Sequence, residues 1–117
     1  MIHTKILGTG SYVPNNIVTN DMLEKIVDTS DEWIQSRTGI KKRHMVTDEN
    51  TSDLAFNASL KAIEDAKIDK SEIDLVIVAT VTPDFALPGV SQIIQRKLEL
   101  NNVTAFDINA AAPMPIP

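Results

Sequence analysis

Few residues of this sequence could carry out covalent chemistry, and cysteine is absent. The 117 residues include two histidines, one tryptophan and no cysteine. A disulfide framework, a thiolate metal site and a cysteine nucleophile are therefore all excluded. The histidines, His3 and His44, lie in the first predicted strand and near the second, where such rings are more often exposed or packed than catalytic. We expect no metal site.

Two features could bind an anion. Lys41, Lys42 and Arg43 form, with Arg37, the one local basic cluster of an acidic chain. This cluster either attracts an anionic ligand or lines a solvated strand edge. The run Gly8-Thr9-Gly10 resembles half of a dinucleotide-binding fingerprint, but the third glycine is missing. A turn that ends a strand explains that run better.

Composition excludes several classes of protein. Apolar residues make up 43% of the chain and the net charge is −5, which argues against a protein that tracks nucleic-acid phosphates. No run approaches the roughly 18 uncharged apolar residues of a membrane span, and the N-terminal residues lack the layout of a signal peptide. We therefore expect a soluble, cytoplasmic protein without nucleic-acid or membrane partners.

The predicted strands alternate with helices from residue 40 onward. Strands are predicted over residues 5–10, 40–46, 74–80 and 103–108. The third is a continuous β-branched run, typical of a strand that is covered on both faces. This order predicts an α/β class with largely parallel pairing and no domain boundary.

Four helices are predicted between these strands. Asn20 is expected to cap a short helix, and residues 29–32 form a capping box for a second helix that ends at Gly39. A third covers residues 51–67, and its stripe of alanines indicates close packing against a sheet. Pro88 suits the first turn of a fourth helix, which presents apolar residues on one side: Val90, Ile93, Ile94 and Leu98.

Five blocks in a fixed order resemble β-ketoacyl-acyl carrier protein synthase III, a thiolase-superfamily condensing enzyme that initiates fatty-acid synthesis. They are residues 6–14 (ILGTGSYVP), 28–34 (DTSDEWI), 36–40 (SRTGI), 74–84 (DLVIVATVTPD) and 105–111 (AFDINAA). The resemblance spans about the first third of a family member. It implies the incomplete N-terminal half of a thiolase-like layered fold, a mostly parallel mixed sheet with helices packed on it. This partial domain would cover residues 1–112, and residues 113–117 would form a proline-rich tail outside the family pattern.

The resemblance also implies a site for a coenzyme A thioester, which is a substrate and not a prosthetic group. In the family, the residue matching Trp33 stacks on the adenine, the residue matching Arg37 reaches the nucleotide phosphates, and Thr29 matches a residue that hydrogen-bonds the nucleotide. Without the resemblance, Trp33 would be a core residue, Arg37 a charge facing the helix dipole, and Thr29 part of the capping box. Acyl-CoA and acyl carrier protein are the implied partners.

The nucleophile that the resemblance implies is missing. The family's cysteine follows Asp-Ile-Asn-Ala-Ala on a strand-to-helix turn, where the helix dipole lowers the thiol pKa. Here that position is Ala112, followed by Pro113, and the family's histidine and asparagine have no match in this chain. We therefore expect a truncated homologue that is inactive by itself. The alternatives are a non-enzymatic module that binds CoA or pairs with a full-length synthase, and one part of a split enzyme.

Phe85 and Leu87 are candidate interface residues. They lie in the loop of residues 82–89, which resembles the segment that crosses the family's dimer interface. There the residue matching Leu87 helps to close the partner subunit's acyl pocket, so a homodimer or a pair with a full-length synthase is implied. The alternative is a surface loop that buries its own apolar side chains.

Residues 75–79 are also expected to leave an apolar patch open to water, which marks a missing partner or an aggregation hazard.

Overall fold

The computed structural model describes residues 3–110, which divide into two compact units. The first unit holds the described residues up to Tyr12 and from Asn50 onward, and the second is Val13–Glu49. No composition shift marked either junction in the sequence. Ala112 and the predicted tail of residues 113–117 lie outside the described residues.

The unit Val13–Glu49 pairs two short strands and two helices. Strand β1 (Ile17–Thr19) runs antiparallel to β2 (Lys42–His44), with Ile17 opposite His44. Helices α1 (Asn20–Glu24) and α2 (Asp31–Thr38) lie between them in the chain. The predicted strand over residues 40–46 is therefore confirmed, in a shorter form.

The other unit is built around a parallel strand pair. Helix α3 (Thr51–Ala66) is followed by a 3₁₀ turn (Lys70–Glu72), strand β3 (Leu75–Ala79), helix α4 (Val90–Lys97) and strand β4 (Thr104–Ile108). Strands β3 and β4 pair in parallel from Leu75 opposite Thr104 to Ala79 opposite Ile108. The α/β class is confirmed. Within residues 3–110, the pairings expected in one mixed sheet occur as two separate two-stranded sheets.

The prediction of a strand over residues 5–10 is wrong. This segment has no strand partner in the described chain and packs against helix α3. The Thr9 N–H donates to the Asp65 carboxylate of α3 at 2.9 Å. A Cβ at Gly8 would collide with the backbone of Ala66, and one at Gly10 with the backbone of Ala62. The alanine stripe of α3 and the two glycines thus permit a close backbone approach, where the sequence had indicated packing on a sheet and a strand-ending turn.

The core lies between α4 and one face of the parallel sheet. Four side chains from α4 and the loop after it are buried: Val90, Ile94, Leu98 and Leu100. Val76 and Val78 pack against them from β3. On the other face, Leu75, Ile77, Phe106 and Ile108 remain 42–51% exposed. The described residues therefore cover one face of the sheet, and the predicted open apolar patch is confirmed.

Asp107 decides where α4 begins. Its carboxylate accepts the Val90 N–H at 2.6 Å and the Ser91 N–H at 2.8 Å, so it satisfies two amides that a helix start leaves unpaired. Gly89 is the N-cap and has no side chain to serve this purpose. Pro88 therefore precedes the helix, which corrects its predicted place in the first turn.

None of the helices within residues 3–110 is long and apolar enough to cross a membrane.

We predict that Asp107→Asn destabilises the chain in a pH-dependent way. Burial favours the protonated carboxyl, but hydrogen bonds from Ser91 and Val90 outweigh it and hold the pKa of Asp107 below its usual value. The variant should lose about 1 kcal/mol at pH 7, because the amide has one acceptor oxygen in place of two and its NH₂ group would face the other N–H. The native carboxylate contributes stability above the unfolded value of about 3.9 and loses it as pH falls through the lower native pKa. Urea midpoints of the two chains should therefore converge in acid, and a gap unchanged between pH 7 and acid contradicts this role.

Candidate functional site

Helix α2 carries two of the three residues predicted to bind a nucleotide, and polar groups fix both of its ends. At its start, the Ser30 hydroxyl accepts the Trp33 N–H at 3.1 Å. At its end, Gly39 adopts a left-handed φ of 70° and donates its N–H to the Gln35 carbonyl at 2.8 Å. The predicted glycine C-terminus is confirmed. The predicted capping box is wrong by one residue, because Ser30 caps the helix and Thr29 lies outside it.

Thr29 has a buried hydroxyl oxygen with no hydrogen-bond partner in the described chain. The capping role that would have explained this residue belongs to Ser30. A buried hydroxyl without a partner costs free energy, commonly about 1–3 kcal/mol. A ligand or water that bonds to Thr29 would remove that cost.

Trp33 is exposed and does not belong to the core. Its side chain is 57% exposed, whereas the next residue, Ile34, is buried. With Asp28, Thr29 and Ser30 it lines a depression of about 330 Å³, at the small end of ligand-site volumes. The depression thus offers a ligand the apolar face of the indole. The Thr29 hydroxyl has no accessible surface, so it would reach that ligand only after a local rearrangement.

Arg37 lies one helical turn after Trp33 on the same side of α2. Its guanidinium carbon is 6.0 Å from the centroid of the indole ring, within the range of a cation–π interaction. The positive charge of Arg37 thus borders the aromatic surface. The planar fork of donors of its guanidinium group suits a phosphate. The structure therefore places Thr29 and Trp33 in one depression at the start of α2. Arg37 lies in the last turn of the helix, where it borders the Trp33 ring but does not line that depression.

The basic cluster predicted around Arg37 does not form one free surface. Arg43 turns inward and donates to the Asn20 side-chain oxygen at 2.6 Å and to the Val18 carbonyl at 3.3 Å. Lys41 and Lys42 remain exposed. Of the two histidines, His3 is exposed and His44 has its Nδ1 at 2.6 Å from the Pro14 carbonyl oxygen. Within residues 3–110, no cluster of three or more potential ligand side chains could hold a metal ion.

Phe85 and Leu87 project from their loop into solvent. They are 61% and 87% exposed, so the loop does not bury these two side chains itself. The start of the loop is fixed to the N-terminus of α3, because Asp84 accepts the Ser52 N–H at 2.9 Å and the Thr82 carbonyl accepts the Thr51 hydroxyl at 2.7 Å. The loop of residues 82–89 is thus anchored at its start and presents two large apolar side chains to solvent.

Asn20 is a residue of this region that the sequence misassigned. It was predicted to cap α1, but the cap is Thr19, whose hydroxyl accepts the Met22 N–H at 3.4 Å. Asn20 is instead the first residue of the helix and only 1% exposed. The run Thr-Asn-Asp offers three residue types that all favour caps, so local sequence could not separate the cap from its buried neighbour.

Comparisons with known proteins find relatives over most of this chain. β-Ketoacyl-[acyl-carrier-protein] synthase III of Clostridium acetobutylicum is 58% identical over 111 residues, which are 95% of this chain and 34% of that protein. The crystal structure of 3-oxoacyl-[acyl-carrier-protein] synthase III from Aquifex aeolicus gives a TM-score of 0.89 at 47% identity, over 92% of this chain and 35% of that one. The synthase III structure from Thermus thermophilus gives a TM-score of 0.84 at 43% identity, over 92% of this chain and 33% of that one. No protein-family model matches the chain.

The fold is thus the α/β architecture of the thiolase-like condensing enzymes, present in part. More narrowly, the chain corresponds in sequence and structure to the N-terminal part of β-ketoacyl-acyl carrier protein synthase III. It spans about a third of the length of the curated relatives it matches. The resemblance predicted from the five sequence blocks is therefore confirmed.

Proposed function

We propose that this chain carries the coenzyme A-binding face of a synthase III-type condensing enzyme and does not catalyse condensation by itself. The observation that carries the first part is the exposed Trp33 ring, which lines one depression with Thr29, a residue whose hydroxyl has no hydrogen-bond partner in the described chain. The indole would stack on the adenine, Thr29 would bond to the nucleotide, and Arg37 would pair with its phosphates. CoA enters as part of a thioester substrate and not as a resident cofactor. A cytoplasmic location and acyl carrier protein as second partner belong to the same proposal.

CoA should quench Trp33 fluorescence saturably, because this is the one tryptophan of the chain and the ligand would stack on it. Thr29→Val keeps the shape of the side chain and removes the hydroxyl, so we expect affinity to fall about fivefold, the value of one hydrogen bond. Arg37→Gln should also weaken binding and reduce its dependence on salt. The matched control is Lys42→Gln, which removes an exposed charge on β2. Absence of quenching at millimolar CoA contradicts the proposal.

The second part of the proposal rests on the nucleophile position. Ala112 stands where the family pattern has cysteine, and no cysteine occurs anywhere in the sequence. Loss of a catalytic nucleophile commonly lowers the rate by about 10⁴ to 10⁶. Alanine has no atom that could accept an acyl group from a thioester.

Incubation of the chain with acyl-CoA and malonyl-acyl carrier protein should therefore yield no ketoacyl product above the uncatalysed rate. Intact-mass measurement after incubation with acyl-CoA should likewise show no acyl adduct. A full-length synthase that carries the nucleophile serves as the positive control under identical conditions. Turnover by this chain alone defeats the proposal.

A second candidate function, pairing with another synthase chain, is supported by the loop that holds Phe85 and Leu87. Both side chains are exposed, and their burial by a partner would remove a large apolar area from water. The partner would be a second copy of this chain or a full-length synthase. This function would need no nucleophile.

Leu87→Asp should weaken such pairing by at least about tenfold, since burial of the new carboxylate would be costly. Sedimentation velocity of the chain, alone and mixed with a full-length synthase, measures the effect. Ile26→Asp is the matched control, because it makes the same change at another exposed aliphatic side chain. A purely monomeric chain in both experiments argues against this second function.

A further inference from the structure

We propose that Asn20 is a positioning residue for the nucleotide-binding face, holding both ends of α2 with a single buried side-chain amide; this inference rests on the proposed CoA function. The amide nitrogen Nδ2 donates to the Asp31 carboxylate at 2.7 Å and to the Ile40 carbonyl at 2.7 Å. Asp31 is the first residue of α2, and Ile40 follows Gly39 at the other end. One planar group therefore connects the entry and the exit of the helix.

The acceptor side of the same amide connects α2 to strand β2. Arg43 donates to the Asn20 Oδ1 at 2.6 Å and to the Val18 carbonyl at 3.3 Å. The backbone N–H of Asn20 donates to the Lys41 carbonyl at 3.3 Å. Asn20 is only 1% exposed, so water does not compete with these bonds. Both hydrogens of its amide and its oxygen are used.

Asp31 transmits this constraint to the binding face. Its second carboxylate oxygen accepts the Gln35 side-chain amide at 2.6 Å, and its backbone N–H donates to the Glu24 carboxylate. Hydrogen bonds from Asn20 and Gln35 lower the pKa of Asp31, so the acceptor stays ionised. Thr29 lies two residues before this anchor, and Trp33 two residues after it. The placement of Thr29 relative to Trp33 therefore depends on where Asp31 is held.

Only an amide can occupy position 20 in this arrangement. Aspartate would keep the bond to Arg43 but would place a carboxylate against the Asp31 carboxylate and the Ile40 carbonyl. Leucine would fill the space and make none of the bonds. The requirement for two donors and one acceptor at a buried position distinguishes this role from cavity filling.

The test compares Asn20→Asp with the unaltered chain at matched helix content by circular dichroism. Without ligand, the variant should lower the fluorescence anisotropy of Trp33, because the helix is no longer held at both ends. CoA affinity should fall about tenfold, the low end of the loss expected when a residue that supports a site is changed. The double variant Asn20→Asp with Asp31→Asn should recover part of the affinity, since the new amide at position 31 can donate to the carboxylate at position 20.

A double-mutant cycle separates positioning from general stability. Thr29→Val should weaken CoA binding in the unaltered chain and have little further effect in the Asn20→Asp background, because the hydroxyl is already misplaced there. His44→Ala is the control: it removes a hydrogen bond to Pro14 in the same unit and should change neither anisotropy nor affinity.

Additive effects of Asn20→Asp and Thr29→Val overturn the proposal, as does an equal loss in His44→Ala. If the unaltered chain fails to bind CoA, the proposed function fails, and the anisotropy of ligand-free Trp33 still decides whether Asn20 holds α2. Unchanged anisotropy in Asn20→Asp then overturns the positioning role as well.

Discussion

The parallel pairing of β3 with β4 is the constraint on which the larger unit depends. Parallel strands are stable when both faces are covered, and here α4 covers one of them. Asp107 fixes this arrangement, because a side chain of β4 caps the helix that packs on the sheet. The opposite face presents Leu75, Ile77 and Phe106. The unit is thus one half of a layered structure, consistent with a chain that spans about a third of its relatives.

The unit Val13–Glu49 is held together mainly by polar contacts. It has short strands, and one apolar side chain of α2, Ile34, is buried. Hydrogen bonds made by Ser30, Gly39 and Asn20 hold helix α2, and they take the role that a large apolar core has elsewhere. The nucleotide-binding face that we propose is supported by this network within residues 13–49, whereas position 112 lies in a different part of the sequence.

The sequence predicted the elements with strong local signals and misplaced those that depend on distant contacts. Helix α3 has helical periodicity, the glycine at the end of α2 adopts a required backbone conformation, and β3 is a continuous β-branched run, so all three were found correctly. Residues 5–10 looked like a strand because Ile6 and Leu7 precede two glycines that are typical of a turn. Those glycines instead permit a close approach to α3. Pro88 looked like a helix start because the competing cap, Asp107, is distant in sequence.

The sequence by itself determined the α/β class, the family resemblance and the absence of a nucleophilic thiol, since each depends on residue type and order alone. It also placed Thr29, Trp33 and Arg37 within one short segment. Only the tertiary structure decided that Trp33 faces solvent, that the Thr29 hydroxyl is buried without a partner, and that Asn20 is buried at the centre of a network. Those properties depend on which polar groups meet in space, and the partners of Asn20 lie as far as 23 residues away along the chain.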